Sequence, residues 1–188
     1  MEQQRTSHKK LLCNKNDVNL YKLKDEYEYE LNFTIRNLDY NIKQILGKDI
    51  YFLISDLNKD LIEEIKTLRV YDNSSKDLEL SFKSFGKELG IRKKVMYINV
   101  VTNETNNTIN YISEDIGKLI KTKNDYDIIY NKYSELNIEF ITNHEAKFCY
   151  KFNIDIKEDL PIFMQNMIGV VMKKLYLNLK TFIEKMKT

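Results

Sequence analysis

Residues 162 to 186 carry an apolar helical surface too wide to stand free in water. Ile168, Met172, Leu175, Leu179, Phe182 and Met186 step by four and three, the spacing that lines one face of an α-helix. Ile162, Phe163, Met164, Met167, Val170 and Val171 spread apolar side chains around the whole first half. That half is expected to be covered on more sides than the second, where Lys173, Lys174, Lys180 and Lys187 form a solvated face. Asp159 and Pro161 stand just before it as a helix start signal. The rest of the chain must supply the surface this helix lies on.

That surface reads as strands. Tyr27, Tyr29, Leu31, Phe33 and Ile35 alternate with Glu28, Glu30, Asn32 and Thr34, a period of two that gives a strand one buried face. Phe148, Tyr150, Phe152, Ile154 and Ile156 alternate in the same way with Cys149, Lys151, Asn153 and Asp155. With Asn137 to Thr142 and a turn at Asn143 and His144, they form the clearest antiparallel hairpin in the chain. Between these ends, Leu78 to Phe85, Ile91 to Thr102 and Thr108 to Ser113 read as strands separated by polar or glycine-bearing breaks, with Gly86 and Gly90 as hairpin glycines. Residues 114 to 136 hold an apolar cluster at Ile116, Leu119 and Ile120 and a β-prone stretch from Tyr126 to Tyr133, which predicts one more strand. Leu38, Ile42, Ile45, Leu46, Ile50, Leu53, Ile54 and Leu57 predict a helix that Gly47 splits or starts. Asp60 and Glu63 resemble a capping box opening a second short helix through Ile65. Residues 1 to 24 are expected to form a flexible arm and 25 to 188 a single domain.

Composition narrows the class. The chain has 188 residues, 43% hydrophobic, with a formal charge of +2, enough to bury a core without a disulfide or metal staple and too balanced for a protein that seeks polyanions. The 26 lysines accompany 22 isoleucines, 20 asparagines and 13 tyrosines against single Ala and Pro residues and no Trp, a bias toward A/T-rich codons, so the lysines carry little weight as a nucleic-acid signal. Matches to N-x-S/T, as at Asn32, Asn73 and Asn106, are expected by chance in so Asn-rich a chain. Cys13 and Cys149, the only cysteines, suit a reducing compartment. No run approaches the roughly 18 apolar residues of a membrane span, and Met1 to Asn19 lacks a secretory apolar segment. A cytoplasmic protein with no integral membrane segment is expected, transient membrane contact being compatible with the sequence.

One strand, two short helices, a run of antiparallel strands and a long C-terminal helix is an order of elements that resembles the START-domain and birch-pollen-allergen-like superfamily, the helix-grip fold. The resemblance covers residues 25 to 187 and is most specific in AKFCYKFNIDIKEDLPIFMQNMIGVVMKKLYLNLKTFIEKMK, which looks like the family's last strand, acidic proline-containing loop and lid helix. YEYELNFTI and GKDIYFLISDLNKDLIEEI occupy the places of its first strand and helix pair. The family's Trp-containing aromatic stretch after the second helix is absent. The resemblance implies an α+β fold, with a curved antiparallel β-sheet gripping the C-terminal helix and two short helices between the first and second strands. It also implies a cavity between sheet and helix that takes a small apolar or amphipathic, lipid-like ligand. Candidates to line it are Phe52, Phe82, Tyr97, Tyr111, Phe140, Phe152, Phe163, Met164 and Met167. The same residues at helical or strand spacing also make an ordinary core.

Signals for chemistry are sparse. His8 and His144 each precede a cysteine by five residues, Cys13 and Cys149, giving the ligand types of a Cys2His2 zinc site at a spacing such sites seldom use; no metal and no cofactor is expected. Cys149 falls on the face opposite Phe148 and Phe152, without an evident base. The adjacent carboxylates Glu63 and Glu64, Glu114 and Asp115, and Glu158 and Asp159 read as solvated loops and helix starts. The glycines of SFGKELGIRKK do not fit a phosphate loop, and Arg92, Lys93 and Lys94 read as an exposed strand start. Two alternatives to ligand binding stand: a cyclase, dehydratase or hydrolase in which Tyr97 or Tyr111 donates a proton, and an interaction module whose interior is filled.

Overall fold

The computed structural model describes residues 9–24, 27–47, 49–84, 93–120, 126–155 and 162–187, with the side chains of 162–164 excepted. Its strands are β1 (Lys10–Lys15), β2 (Val18–Lys22), β3 (Glu28–Arg36), β4 (Ile62–Val70), β5 (Ser75–Phe82), β6 (Lys93–Glu104), β7 (Thr108–Asp115), β8 (Tyr126–Thr142) and β9 (Glu145–Asp155). The helices α1 (Ile42–Ile45) and α2 (Ile50–Asp56) lie between β3 and β4, and α3 (Ile162–Lys185) closes the chain. The strands form one curved sheet in the order β1-β2-β3-β9-β8-β7-β6-β5-β4. Neighbours run antiparallel, with one parallel patch where Lys93 to Met96 of β6 meet Tyr126 to Ile129 of β8.

The expected arm is, over its described part, a hairpin. Asn16 and Asp17 both take left-handed backbone, φ 54 and 56, and Lys15 pairs with Val18 across them. A two-residue loop with both φ values positive is the turn whose twist matches antiparallel strands, and Asn and Asp are the non-glycine residues that tolerate it. β2 then pairs with β3 from Asn19–Asn32 to Lys22–Tyr29 and buries Val18 and Leu20 completely. The two helices therefore follow the third strand, because this hairpin supplies two before it.

α3 crosses the concave face of the sheet on its Ile168, Met172, Leu175, Leu179 and Ile183 side. The fully buried Leu20, Tyr29, Leu31, Phe148 and Phe152 of the facing strands each contribute roughly 1.5–3 kcal/mol by leaving water. Three side chains also hydrogen-bond to carbonyls of the helix. Tyr29 Oη donates to Gln165 O at 2.7 Å, Asn58 Nδ2 to Leu175 O at 3.3 Å and Asn37 Nδ2 to Ile183 O at 2.5 Å. Gly169 permits the close approach, since a Cβ there would lie 2.9 Å from Tyr29 Cδ1 and 3.2 Å from Leu20 Cδ2.

The structure corrects four details of the sequence reading. Residues 62 to 65 belong to β4 and not to a helix: Ile65 pairs with Leu80, and Asn58, fully buried, closes the turn before it by accepting from Leu61 N and Ile62 N. Phe182 is 40% exposed, and Ile183 takes its place inside. Lys173 and Lys180 are buried, because the hairpin and the edge of β3 cover that side of α3; Lys180 donates to Thr34 O. In the first half of α3, Met167 and Val170 are exposed. Asp159, Pro161, Gly86, Gly90 and His8 lie outside the described residues.

Candidate functional site

The space between sheet and α3 narrows to a small, partly open cavity of about 50 Å³. Its apolar wall comes from Ile54 of α2, Ile62 of β4, Leu80 and Phe82 of β5, Met96 and Ile98 of β6, Ile154 of β9, and Met172 and Leu175 of α3. Its polar wall is Tyr51 of α2, Asn131 and Ser134 of β8, Tyr150 of β9 and Tyr176 of α3. About 50 Å³ has room for a few water molecules at most.

A break in strand regularity builds the polar wall. Residues three apart in a regular strand face opposite ways, yet Asn131 and Ser134 both reach the cavity. The pairing with β9 shifts register between Asn131 and Tyr133, and the extra residue of this bulge turns the strand by one position. Asn131 Nδ2 donates to Ser113 O at 3.1 Å and Ser134 Oγ at 3.3 Å. Tyr51 Oη and Ser113 Oγ lie 2.8 Å apart. Tyr150 and Tyr176 adjoin, their rings 4.7 Å apart centroid to centroid, with Ser134 in the same wall.

These hydroxyls stay protonated. Burial pushes Tyr51 up to about 12, with the Ser113 hydrogen bond offsetting part of the shift. Burial likewise pushes Tyr150 and Tyr176 well above the ordinary tyrosine value. No carboxylate, imidazole or amine lines the cavity among the described residues, so the wall offers neutral hydrogen-bond donors and acceptors without a general base.

Of the residues proposed from sequence, the cavity brings in Phe82. Phe152 lies just behind it, fully buried between Tyr29 and Tyr150 at ring-centroid distances of 5.4 and 4.9 Å. Tyr111 is buried but its hydroxyl is committed to Gly47 O, and its ring meets Tyr51 edge-on at 5.9 Å. Phe140 packs beneath Lys43 of α1. Tyr97 occupies the other face of the sheet, because its neighbours Met96 and Ile98 take the concave side; its phenol hydrogen-bonds to Glu79. That placement removes it as a proton donor to the cavity. Phe52 is half-buried at the margin of the core, away from the cavity and under Lys76, whose Nζ stands 5.3 Å from the ring centroid. Met167 is 53% exposed, since α3 turns Ile168 and Met172 to the sheet instead. Phe163 and Met164 lie outside the described side chains.

Sequence reasoning missed Tyr51, Asn131, Ser134, Tyr150 and Tyr176. Tyr150 was visible in the alternation of Phe148, Phe152 and Ile154, and Tyr176 stands one turn beyond Met172. Asn131 and Ser134 carry no periodic signal, because a bulge places them.

Other concavities are weaker candidates. A groove of about 830 Å³ beside β3 is open to solvent, and its charges answer one another: Lys180 pairs with Glu184 at 2.6 Å, and Glu184 also accepts from Arg36 N. Nδ1 of His144 lies 2.9 Å from Asn37 O and 3.1 Å from Tyr40 O. Cys13 packs toward α3 while Cys149 lies on the opposite face of the sheet, so the two thiols do not share a site. No helix among the described residues is long and apolar enough to cross a membrane.

Neither a family model nor a curated protein sequence matches the chain. Solved structures do. The human StarD13 (DLC2) lipid transfer and protein localization domain is similar at a TM-score of 0.78 and 8% identity, over 96% of this chain and 91% of that one. Human StAR-related lipid transfer protein 5 gives 0.74 and 13%, over 96% and 88%. A STAR-related lipid transfer protein from Xanthomonas axonopodis gives 0.68 and 9%, over 93% and 98%. With its curved sheet closed over α3, the chain has the helix-grip fold that these lipid transfer structures share.

Proposed function

We propose that the chain binds a small apolar or amphipathic, lipid-like molecule between the sheet and α3. The observation that carries this reading is the small cavity with one aliphatic wall and one wall of neutral hydroxyls and an amide. Apolar burial at about 25 cal/mol per Å² would drive uptake, and the hydroxyls of Tyr51, Ser134, Tyr150 and Tyr176 would orient a polar end. The likeness to lipid transfer proteins supports the ligand class. Ligand pockets commonly hold about 300 Å³ or more, so uptake requires the walls to part, with Phe82, Met96 and Met172 as the adaptable side chains. A cytoplasmic setting accords with two free thiols.

The small volume itself favours a second reading, an interaction module with a filled interior. Native mass spectrometry followed by denaturing extraction separates the two. A co-purifying amphiphile, or saturable uptake of a fluorescent fatty-acid analogue that Met172→Trp abolishes without unfolding the protein, supports binding. An empty mass and no uptake leave the filled interior in front.

A further inference from the structure

Cys13 and Lys173 form a pair that ligand binding does not use. Lys173 sits in mid-α3 and is 5% exposed, an unusual place for an ammonium. Its Nζ points at Cys13 Sγ, 3.3 Å away and 160 residues distant in sequence. Among the described residues that sulfur is its one hydrogen-bonding neighbour, and a thiol is a weak acceptor. Both groups are held by regular structure, since Cys13 pairs with Leu20 in the β1–β2 hairpin. Cys13 keeps partial exposure, which admits a small oxidant.

We infer that Cys13 and Lys173 are a site of oxidative cross-linking, in which a hydroperoxide converts the contact into a sulfenamide. In the first step the Cys13 sulfur attacks a peroxide oxygen. The S–O bond forms and the O–O bond breaks, giving the sulfenic acid and one water from hydrogen peroxide, or one alcohol from an organic hydroperoxide; sulfur loses two electrons and the peroxide gains them. In the second, the Lys173 ammonium first gives one proton to solvent, and the lone pair so freed on Nζ attacks that sulfur. The S–N bond forms as the S–OH bond breaks, and hydroxide leaves as water with one amine proton. One hydroperoxide is consumed per link, and a thiol reductant restores both side chains. Condensation of sulfenic acids with nitrogen is known chemistry for backbone amides; here a side-chain amine already waits at contact distance.

Cys149 provides an internal comparison. Burial, and then the Glu30 carboxylate, push its thiol up, the reverse of activation. The link would tie the β1–β2 hairpin to the middle of α3, next to Met172 and Leu175 of the cavity wall, and so fix the helix on the sheet.

The test treats the full chain with hydrogen peroxide, digests it and maps peptides by mass spectrometry. The expected product joins the Cys13 and Lys173 peptides at a mass lower by two hydrogens than their sum. It is lost on dithiothreitol treatment and absent from Cys13→Ser and Lys173→Arg, both checked for native circular dichroism. Cys13 recovered unreacted, or as sulfenic or sulfinic acid beside an unlinked Lys173, overturns the inference, as does equal link yield in Lys173→Arg. The wild-type readout stands whether or not either variant folds.

Discussion

Gly169 concentrates the packing problem of this fold in one missing methyl group. A helix-interior glycine costs about 1 kcal/mol relative to alanine, so Gly169→Ala would stabilise an unconstrained helix. Here the added Cβ would meet the Tyr29 ring at 2.9 Å, and that ring has little freedom to yield: it stacks on Phe152, and its hydroxyl is bonded to Gln165 O. Overpacking of this kind costs about 1–3 kcal/mol. Gly169→Ala is therefore expected to melt several degrees below the wild type, and a raised melting temperature would mean that the ring moves aside.

Among the elements, the β1–β2 hairpin differs most from what the sequence suggests. KLLCNK and VNLYK alternate weakly, because β1 is an edge strand with polar ends and only Leu12 and Cys13 packed inward. The local signal lay in Asn16-Asp17, whose residue types suit a two-residue turn with positive φ at both positions. If the hairpin is part of the core, Leu20→Ala should cost about 2–5 kcal/mol in urea unfolding, as core truncations do; a loss below roughly 0.5 kcal/mol, the size of a surface change, would return the segment to an arm. By contrast β3, β9 and α3 were legible, since each buries one face against a continuous partner and keeps its period for nine residues or more. The candidate site was less so. Phe82 follows from alternation, whereas Tyr97 was misjudged because both faces of β6 are buried from Val95 to Ile98. A period of two says that a strand has faces, not which of two buried faces meets the helix.

Taken whole, the molecule keeps an interior rich in phenols. Burial pushes Tyr51 and Tyr29 up to about 12, and Tyr111, Tyr150 and Tyr176 move the same way. A folded-state value above the unfolded 10.0 means the native state holds the proton more tightly. The stabilisation is thus complete below pH 10 and is lost as the pH rises through the folded-state values, on the order of 2–3 kcal/mol for Tyr51, whose value rises to about 12. Titration followed by tyrosinate absorbance should show exposed tyrosines ionising first and the buried set only with cooperative loss of circular dichroism. All 13 tyrosines ionising together near 10 in a folded chain would refute this.

Opposite the β1 border, the sheet ends at β4. This strand carries the exposed Leu68 and Val70, with Tyr71 just after it, and among the described residues no further strand pairs with its outer edge. Its register breaks twice, between Ile62 and Glu64 and between Thr67 and Arg69. Irregular steps on a border strand spoil the template that another chain would need for cross-chain zipping. Removing the two extra residues is therefore expected to increase self-association at high concentration, which light scattering of the deletion variant would show.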